Sequence, residues 1–158
     1  MRKQGFTLIE VLVAIVLIGL AIASLVAANH SFTRANGAGV NLSTAEFLIE
    51  QIRELMAPLA VVDPNTGISV FGQEEGSLAD YDDLDDFDEV SFCPPINAAR
   101  ETLSDYANYS QRIMVENVSA SDFEQVVSSH TSDFVRVTVD ILVNSEQINS
   151  VSWVRATY

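Results

Sequence analysis

The sequence predicts an α+β protein in which a long N-terminal helix, apolar in its first half and amphipathic in its second, packs on a small antiparallel sheet. Three observations predict it. Residues 6–28 contain 19 apolar residues among 23 and a single charge, Glu10. Ala45, Leu48, Ile49, Ile52, Leu55, Met56 and Leu59 then recur at three- and four-residue spacing, a stripe that needs a sheet to cover it. Towards the C-terminus Val135, Val137, Val139, Ile141 and Val143 alternate with Arg136, Thr138 and Asp140, the period of a strand with one buried face.

Composition narrows the function classes. The chain has 158 residues, 48% of them apolar, with 22 acids against 8 bases. A domain of this size buries a core without staples. No nucleic-acid partner is expected, because affinity for phosphates needs clustered Lys and Arg. Cys93 is alone, so there is no disulfide scaffold.

Arg2 and Lys3 precede the apolar run, and the next base is Arg34. This bias keeps the N-terminus cytoplasmic and carries the rest across. Val11 to Ala28 is uncharged and, as a helix, about 27 Å long, enough for a hydrocarbon core. A secretory signal peptide is the competing reading, with Ala21-Ile22-Ala23 or Ala27-Ala28 as its cleavage site. Glu10 argues against it, since an acid inside the apolar run costs a few kcal/mol unless something pairs with it.

Lys3-Gln4-Gly5-Phe6-Thr7-Leu8-Ile9-Glu10-Val11 resembles the processing site of type IV prepilins and of the pseudopilins of type II secretion. The resemblance covers about 25 residues: a basic leader ending in Gly, then Phe, then Thr-Leu-Ile-Glu, then an apolar helix. It implies that a prepilin peptidase removes residues 1–5, cutting between Gly5 and Phe6, and methylates the new Phe6 amine. It implies further that Glu10 pairs with the amine of a neighbouring subunit during assembly. A cationic amine and a carboxylate in an apolar environment each compensate the other, and losing one partner costs several kcal/mol. Within one helix the Phe6 amine also lies a turn from Glu10, so an intramolecular pair is the simpler arrangement. Cleavage also removes Arg2 and Lys3, the charges that anchor the segment at the cytoplasmic interface.

The partners this implies are other pilin or pseudopilin subunits, the peptidase, an inner-membrane assembly platform and the bilayer. The implied location is the inner membrane, single-pass with an exported domain, and then a pilus or pseudopilus. Many major pilins carry a Pro near the position of Ala27; here the first Pro is Pro58. With Glu10-Val11-Leu12-Val13-Ala14-Ile15, this brings the chain closer to minor pilins and the pseudopilins that cap or prime a filament. The alternative is a single-span anchored domain with a binding role, calcium-dependent or not, that forms no filament.

The helix is expected to span residues 6–57, with its membrane segment at about 8–28, and to end at Pro58, which cannot donate a helical hydrogen bond. Asn36-Gly37-Ala38-Gly39 is its weak point, each glycine costing about 1 kcal/mol. It reads equally as a joint or close-packing surface and as a helix that tolerates glycine. Ser43 with Glu46 has the spacing of a capping box that would restart the helix.

Residues 58–158 form the globular α+β domain. Asp63-Pro64-Asn65-Thr66-Gly67 is a turn cluster, followed by an apolar piece, Ile68 to Phe71. Residues 74–89 then contain nine acids in sixteen positions. Tyr81, Leu84 and Phe87 recur every three residues among them, the mark of a loop pinned to the core. Asp80, Asp82, Asp83, Asp85, Asp86 and Asp88 are candidate calcium ligands, since calcium takes six to eight oxygens, although the EF-hand spacing is missing. A solvated acidic loop is the other reading, and no cofactor is required. Val90 to Cys93 reads as a strand, with Cys93 a small buried residue. Gln111 to Val118 reads as another, with Ile113 and Val115 on one face. Ser121-Asp122-Phe123-Glu124 has the form of a capping box opening a short helix to about Val127. Phe134 to Val143, a four-residue loop at 144–147, and Ile148 to Tyr158 read as a hairpin, giving a sheet of three to five strands.

No catalytic residue is expected, because HExxH, GxSxG, CxxC and phosphate-cradling glycine loops are all missing. His30 and His130 read as surface residues, because a metal or triad site needs several convergent groups. The chain reads as an assembly protein, not an enzyme.

Overall fold

The computed structural model describes Gly5, residues 7–63 and residues 71–157. The leader residues 1–4, Phe6, the turn cluster beyond Asp63, most of the 68–71 apolar piece and Tyr158 lie outside the described residues. The chain forms two compact units, Met1–Asn41 and Leu42–Tyr158.

The first unit consists of the apolar part of helix α1 (Leu8–Met56). Every described residue from Thr7 to Val40 is exposed. Ser24, Ser31 and Thr33 turn their hydroxyls back onto the carbonyls of Leu20, Ala27 and Asn29, at 2.8, 3.1 and 3.0 Å. These three hydroxyls thus find acceptors within the helix itself, as a segment in lipid requires. Gly37 and Gly39 are helical, and a Cβ at either would meet nothing within 4 Å, so no contact within the chain calls for glycine there. Nor does the helix restart at Ser43. Residues 41–46 lie inside α1, where backbone N–H groups already have helical partners, and a capping box has nothing to cap.

In the second unit the last turns of α1 lie against a five-stranded antiparallel sheet. The strands are β1 (Ser91–Phe92), β2 (Tyr109–Ser119), β3 (Asp122–Val126), β4 (Phe134–Val143) and β5 (Glu146–Ala156). Their order is β1-β2-β4-β5, with β3 paired to the far end of β2. The stripe residues Ala45, Leu48, Ile49, Ile52, Leu55 and Met56 are buried with Ile113, Val115, Val135, Val137, Val139 and Ile141 in one core. Register brings Ile113, Val139 and Val151 side by side across three strands, a row of branched side chains that pack well on a pleat. The opposite face pairs charges in the same register: Arg112 with Asp140 and Arg136 with Glu116, both at 2.8 Å.

The structure corrects three expectations. Residues 122–126 are a strand, not a helix; Val118 pairs with Val126, and Phe123 packs on Phe134 with ring centroids 5.3 Å apart. The β4–β5 connection is a two-residue turn, Asn144-Ser145, both with positive φ, and Glu146 and Gln147 already pair with Val143 and Leu142. Such a primed turn matches strand twist, which a longer loop need not do. Cys93 is exposed: it follows the two-residue strand β1, just past Phe92, which is the partly buried residue.

Gln111 is fully buried and joins helix to sheet. Its Nε2 donates to Leu48 O at 3.0 Å and Ile96 O at 3.1 Å, and its Oε1 accepts from Ile96 N at 2.8 Å. Gln111→Leu should destabilise the domain by about 2 kcal/mol, because the Ile96 N–H loses its acceptor. Urea unfolding followed through the single tryptophan, Trp153, reads this directly; a loss under about 0.5 kcal/mol would mean that Ile96 finds another partner. At the helix end Arg155 donates to the carbonyls of Met56, Ala57 and Leu59 at 3.2, 3.3 and 3.2 Å, serving acceptors at and just beyond the last helical turn.

Candidate functional site

Two regions carry functional chemistry, one in each unit. At the N-terminus Gly5 is exposed, lies before the first helical residue, and has nothing within 4 Å of where a Cβ would be. The chain is therefore non-helical at Gly5, the form in which a peptidase can grip a backbone. Phe6, the other side of the expected cleavage point, lies outside the described residues.

Thr7 and Glu10 form a reciprocal capping box. Glu10 Oε2 accepts from the Thr7 backbone N–H and hydroxyl, each at 2.9 Å, while Thr7 Oγ1 accepts from the Glu10 N–H at 3.3 Å. Sequence reasoning had placed capping boxes at Ser43 and Ser121 and missed this one. Its signal was present, a Thr three residues before a Glu at the head of an apolar run. In the single chain the Glu10 carboxylate thus faces its own helix N-terminus, where backbone N–H groups favour negative charge. The following turns show Leu8, Ile9, Leu12, Ile15 and Leu17 to the outside, each more than half exposed. The window of highest hydropathy in α1 is long and apolar enough to cross a membrane.

The second region is the acidic segment. Tyr81, Leu84 and Phe87 are buried as their spacing implied, and Tyr81 and Phe87 meet edge to face at 4.9 Å. Asp83 bridges to Ala60, and the Leu84 N–H donates to Ala60 O at 3.0 Å, which fastens the segment beside the end of α1. Arg100 reaches across to it but binds the carbonyls of Leu78, Ala79 and Tyr81, not the carboxylates.

Folding gathers the acids into two groups. Carboxylate oxygens of Asp63, Asp82 and Asp83 lie within 4.8 Å of one another, and so do those of Glu74, Glu75 and Asp86. Of the six candidates from sequence, Asp82, Asp83 and Asp86 fall in these groups. Asp85 faces Asp83 and accepts from Gly72 N at 3.0 Å. Asp80 is exposed and holds the Ser77 hydroxyl at 2.8 Å; Asp88 accepts from Val115 N at 2.8 Å and ties the segment to β2. Asp63, Glu74 and Glu75 are the additions. Glu74 and Glu75 lay within the acidic run, whereas nothing in the spacing linked Asp63 to a segment some twenty residues on. Burial, and then the facing Asp85 carboxylate, push Asp83 up to about 8. A side-chain hydrogen bond with Asp86 is the main cause that raises Glu75 to about 7.

Against known proteins, residues 1–26 match the family model described as the prokaryotic N-terminal methylation motif. No curated protein and no solved structure matches the chain. Residues 1–26, which hold Gly5, the Thr7–Glu10 cap and the head of the apolar helix, thus carry the type IV prepilin and pseudopilin signature.

Proposed function

We propose that the chain is a non-enzymatic filament subunit, a minor or priming component of a type II secretion pseudopilus or a type IV pilus. It would be inserted in the inner membrane with its N-terminus cytoplasmic and its globular domain exported. Prepilin peptidase then removes residues 1–5 and methylates Phe6, and the apolar helix passes from lipid into a bundle of sister helices held by an assembly platform. The methylation motif at residues 1–26 carries this reading. Physical support comes from the helix behind it, which has no buried residue from Leu8 to Val40 and so needs a cover outside its own chain. The minor role rests on the lack of a Pro before Pro58 and on the Glu10–Ile15 stretch.

Mass spectrometry of the membrane-extracted protein tests the processing step. The expected mass is that of the chain without residues 1–5 and with one added methyl group, placed on Phe6 by fragmentation. Loss of 23 or 28 residues instead would identify a secretory signal peptide and overturn the proposal.

A further inference from the structure

We propose that β5 is an open pairing edge that joins two copies of this chain, β5 to β5 and antiparallel, into one continuous sheet. The strand order β1-β2-β4-β5 leaves β5 with a neighbour on one side only. Among the described residues, no backbone hydrogen bond reaches it from any element but β4. The outward N–H and C=O groups of an edge strand are a template for another strand, and proteins blunt such edges with prolines, charges or shortness. The opposite edge is blunted in this way: β1 has two residues and leads into Cys93-Pro94-Pro95. The β5 edge is not. It runs for 11 residues without a proline, and Asn149 to Val154 carries no charge. Its one irregularity lies beside the turn, where Ile148 is the extra residue between the pairs Ile141–Asn149 and Leu142–Gln147. From Asn149 onward the strand is regular.

The inner face of the same strand is short of cover. Val137 and Val139 on β4 are fully buried, whereas their β5 neighbours Trp153 and Val151 are only half-buried. A strand added at this edge would bury both. Charge selects the occupant. The chain carries a net charge of −14, so two copies repel wherever their acids face each other, and a basic partner is drawn to those same acids. The neutral stretch of β5 offers a basic segment nothing and lets two copies meet with no like charges opposed. The stretch is also self-complementary. About a two-fold axis at Ser152, Val151 lies opposite Trp153 of the second copy on the inner face, a β-branched–aromatic pair that occurs twice. On the outer face Ser152 meets its own counterpart, and Ser150 lies opposite Val154. Such a contact is isologous and closes after two copies, so it joins a pair and does not propagate. It is independent of N-terminal processing, and its failure would leave that reading untouched.

The test sediments the purified full chain in detergent, with reductant so that the exposed Cys93 stays a thiol. The parent should be dimeric at micromolar concentration. Ser150→Lys/Ser152→Lys and Ser150→Glu/Ser152→Glu change exposed outer-face side chains and set like charges against each other across the axis. Each should dissociate at least about tenfold more readily, and an equal mixture of the two should pair again within about threefold of the parent. Both variants keep α1, so association through the apolar helix would persist in each of them unmixed. Amide hydrogen exchange needs no variant. In the parent, Asn149–Val154 should exchange more slowly by about tenfold above the dimer midpoint than below it, while Asp122–Val126 should not change. The proposal is overturned if the parent is monomeric, if either variant alone pairs as well as the parent, if their mixture, shown folded by circular dichroism, stays monomeric, or if exchange in β5 does not depend on concentration.

Discussion

Subunits carrying Glu10→Val are expected to enter the membrane and be cleaved within about twofold of the parent, yet to be depleted from filaments by at least about tenfold. The asymmetry follows from where the charge matters. Insertion depends on the apolar run and on Arg2 and Lys3, and valine only lengthens that run. Assembly is different, because in the proposed filament the Phe6 amine would sit among sister helices with no carboxylate opposite it. An uncompensated buried charge costs about 3–5 kcal/mol, more than enough to reject a subunit. The capping box complicates the reading, since valine also removes the bonds between Glu10 and Thr7. That loss is worth only about 1 kcal/mol at a helix end. Glu10→Gln separates the two effects, because glutamine completes a capping box but carries no charge. Filament content measured by shearing and immunoblotting should be low in both variants. Normal assembly of Glu10→Val would refute the pairing, and rescue by glutamine would assign the role to the cap.

For the globular unit the largest loss should come from Phe87→Ala, at about 3–5 kcal/mol by urea unfolding on Trp153 fluorescence. Phe87 is fully buried, stacks edge-on against Tyr81, and closes the short 3₁₀ turn Asp85–Phe87. Its ring lets a segment rich in acids lie against the core at all. Without it the cavity cannot collapse easily, because the neighbouring acids cannot fill an apolar space. Phe87→Leu should cost much less, as most of the volume is kept. A loss below about 1 kcal/mol for the alanine variant would show that the segment is not anchored through this ring.

Much of this architecture is visible in the residues themselves. The α1 stripe from Ala45 to Met56 and the alternation of β4 are periodic over ten or more residues, and each buries the face its period implies. Short motifs were less reliable because they are ambiguous. Ser121-Asp122-Phe123-Glu124 satisfies a capping pattern, yet the same polar side chains serve a hairpin equally well. Ser119 Oγ accepts from Ser121 N at 3.3 Å, and Asp122 Oδ1 from Glu124 N at 3.1 Å. Serine and aspartate bond to nearby backbone in caps and turns alike, so pairing with β2 decided the outcome. Thr7–Glu10 is the opposite case, since the Glu10 that the resemblance assigns to a neighbouring amine also closes a true capping box on its own helix. The processing point could be read directly, since it is a contiguous string. The acid groups could not, because Asp63 meets Asp82 and Asp83 only through the path of the folded chain.

The three bonds from Arg155 to the end of α1 have a mechanical consequence. In the proposed filament, tension applied along α1 would reach Pro58 and peel the chain away from it. Because Arg155 lies on β5 and holds the carbonyls of Met56, Ala57 and Leu59, that tension is shared with the sheet. The end of the helix is thus clamped to β5, and peeling the chain away at Pro58 has to break these three bonds first.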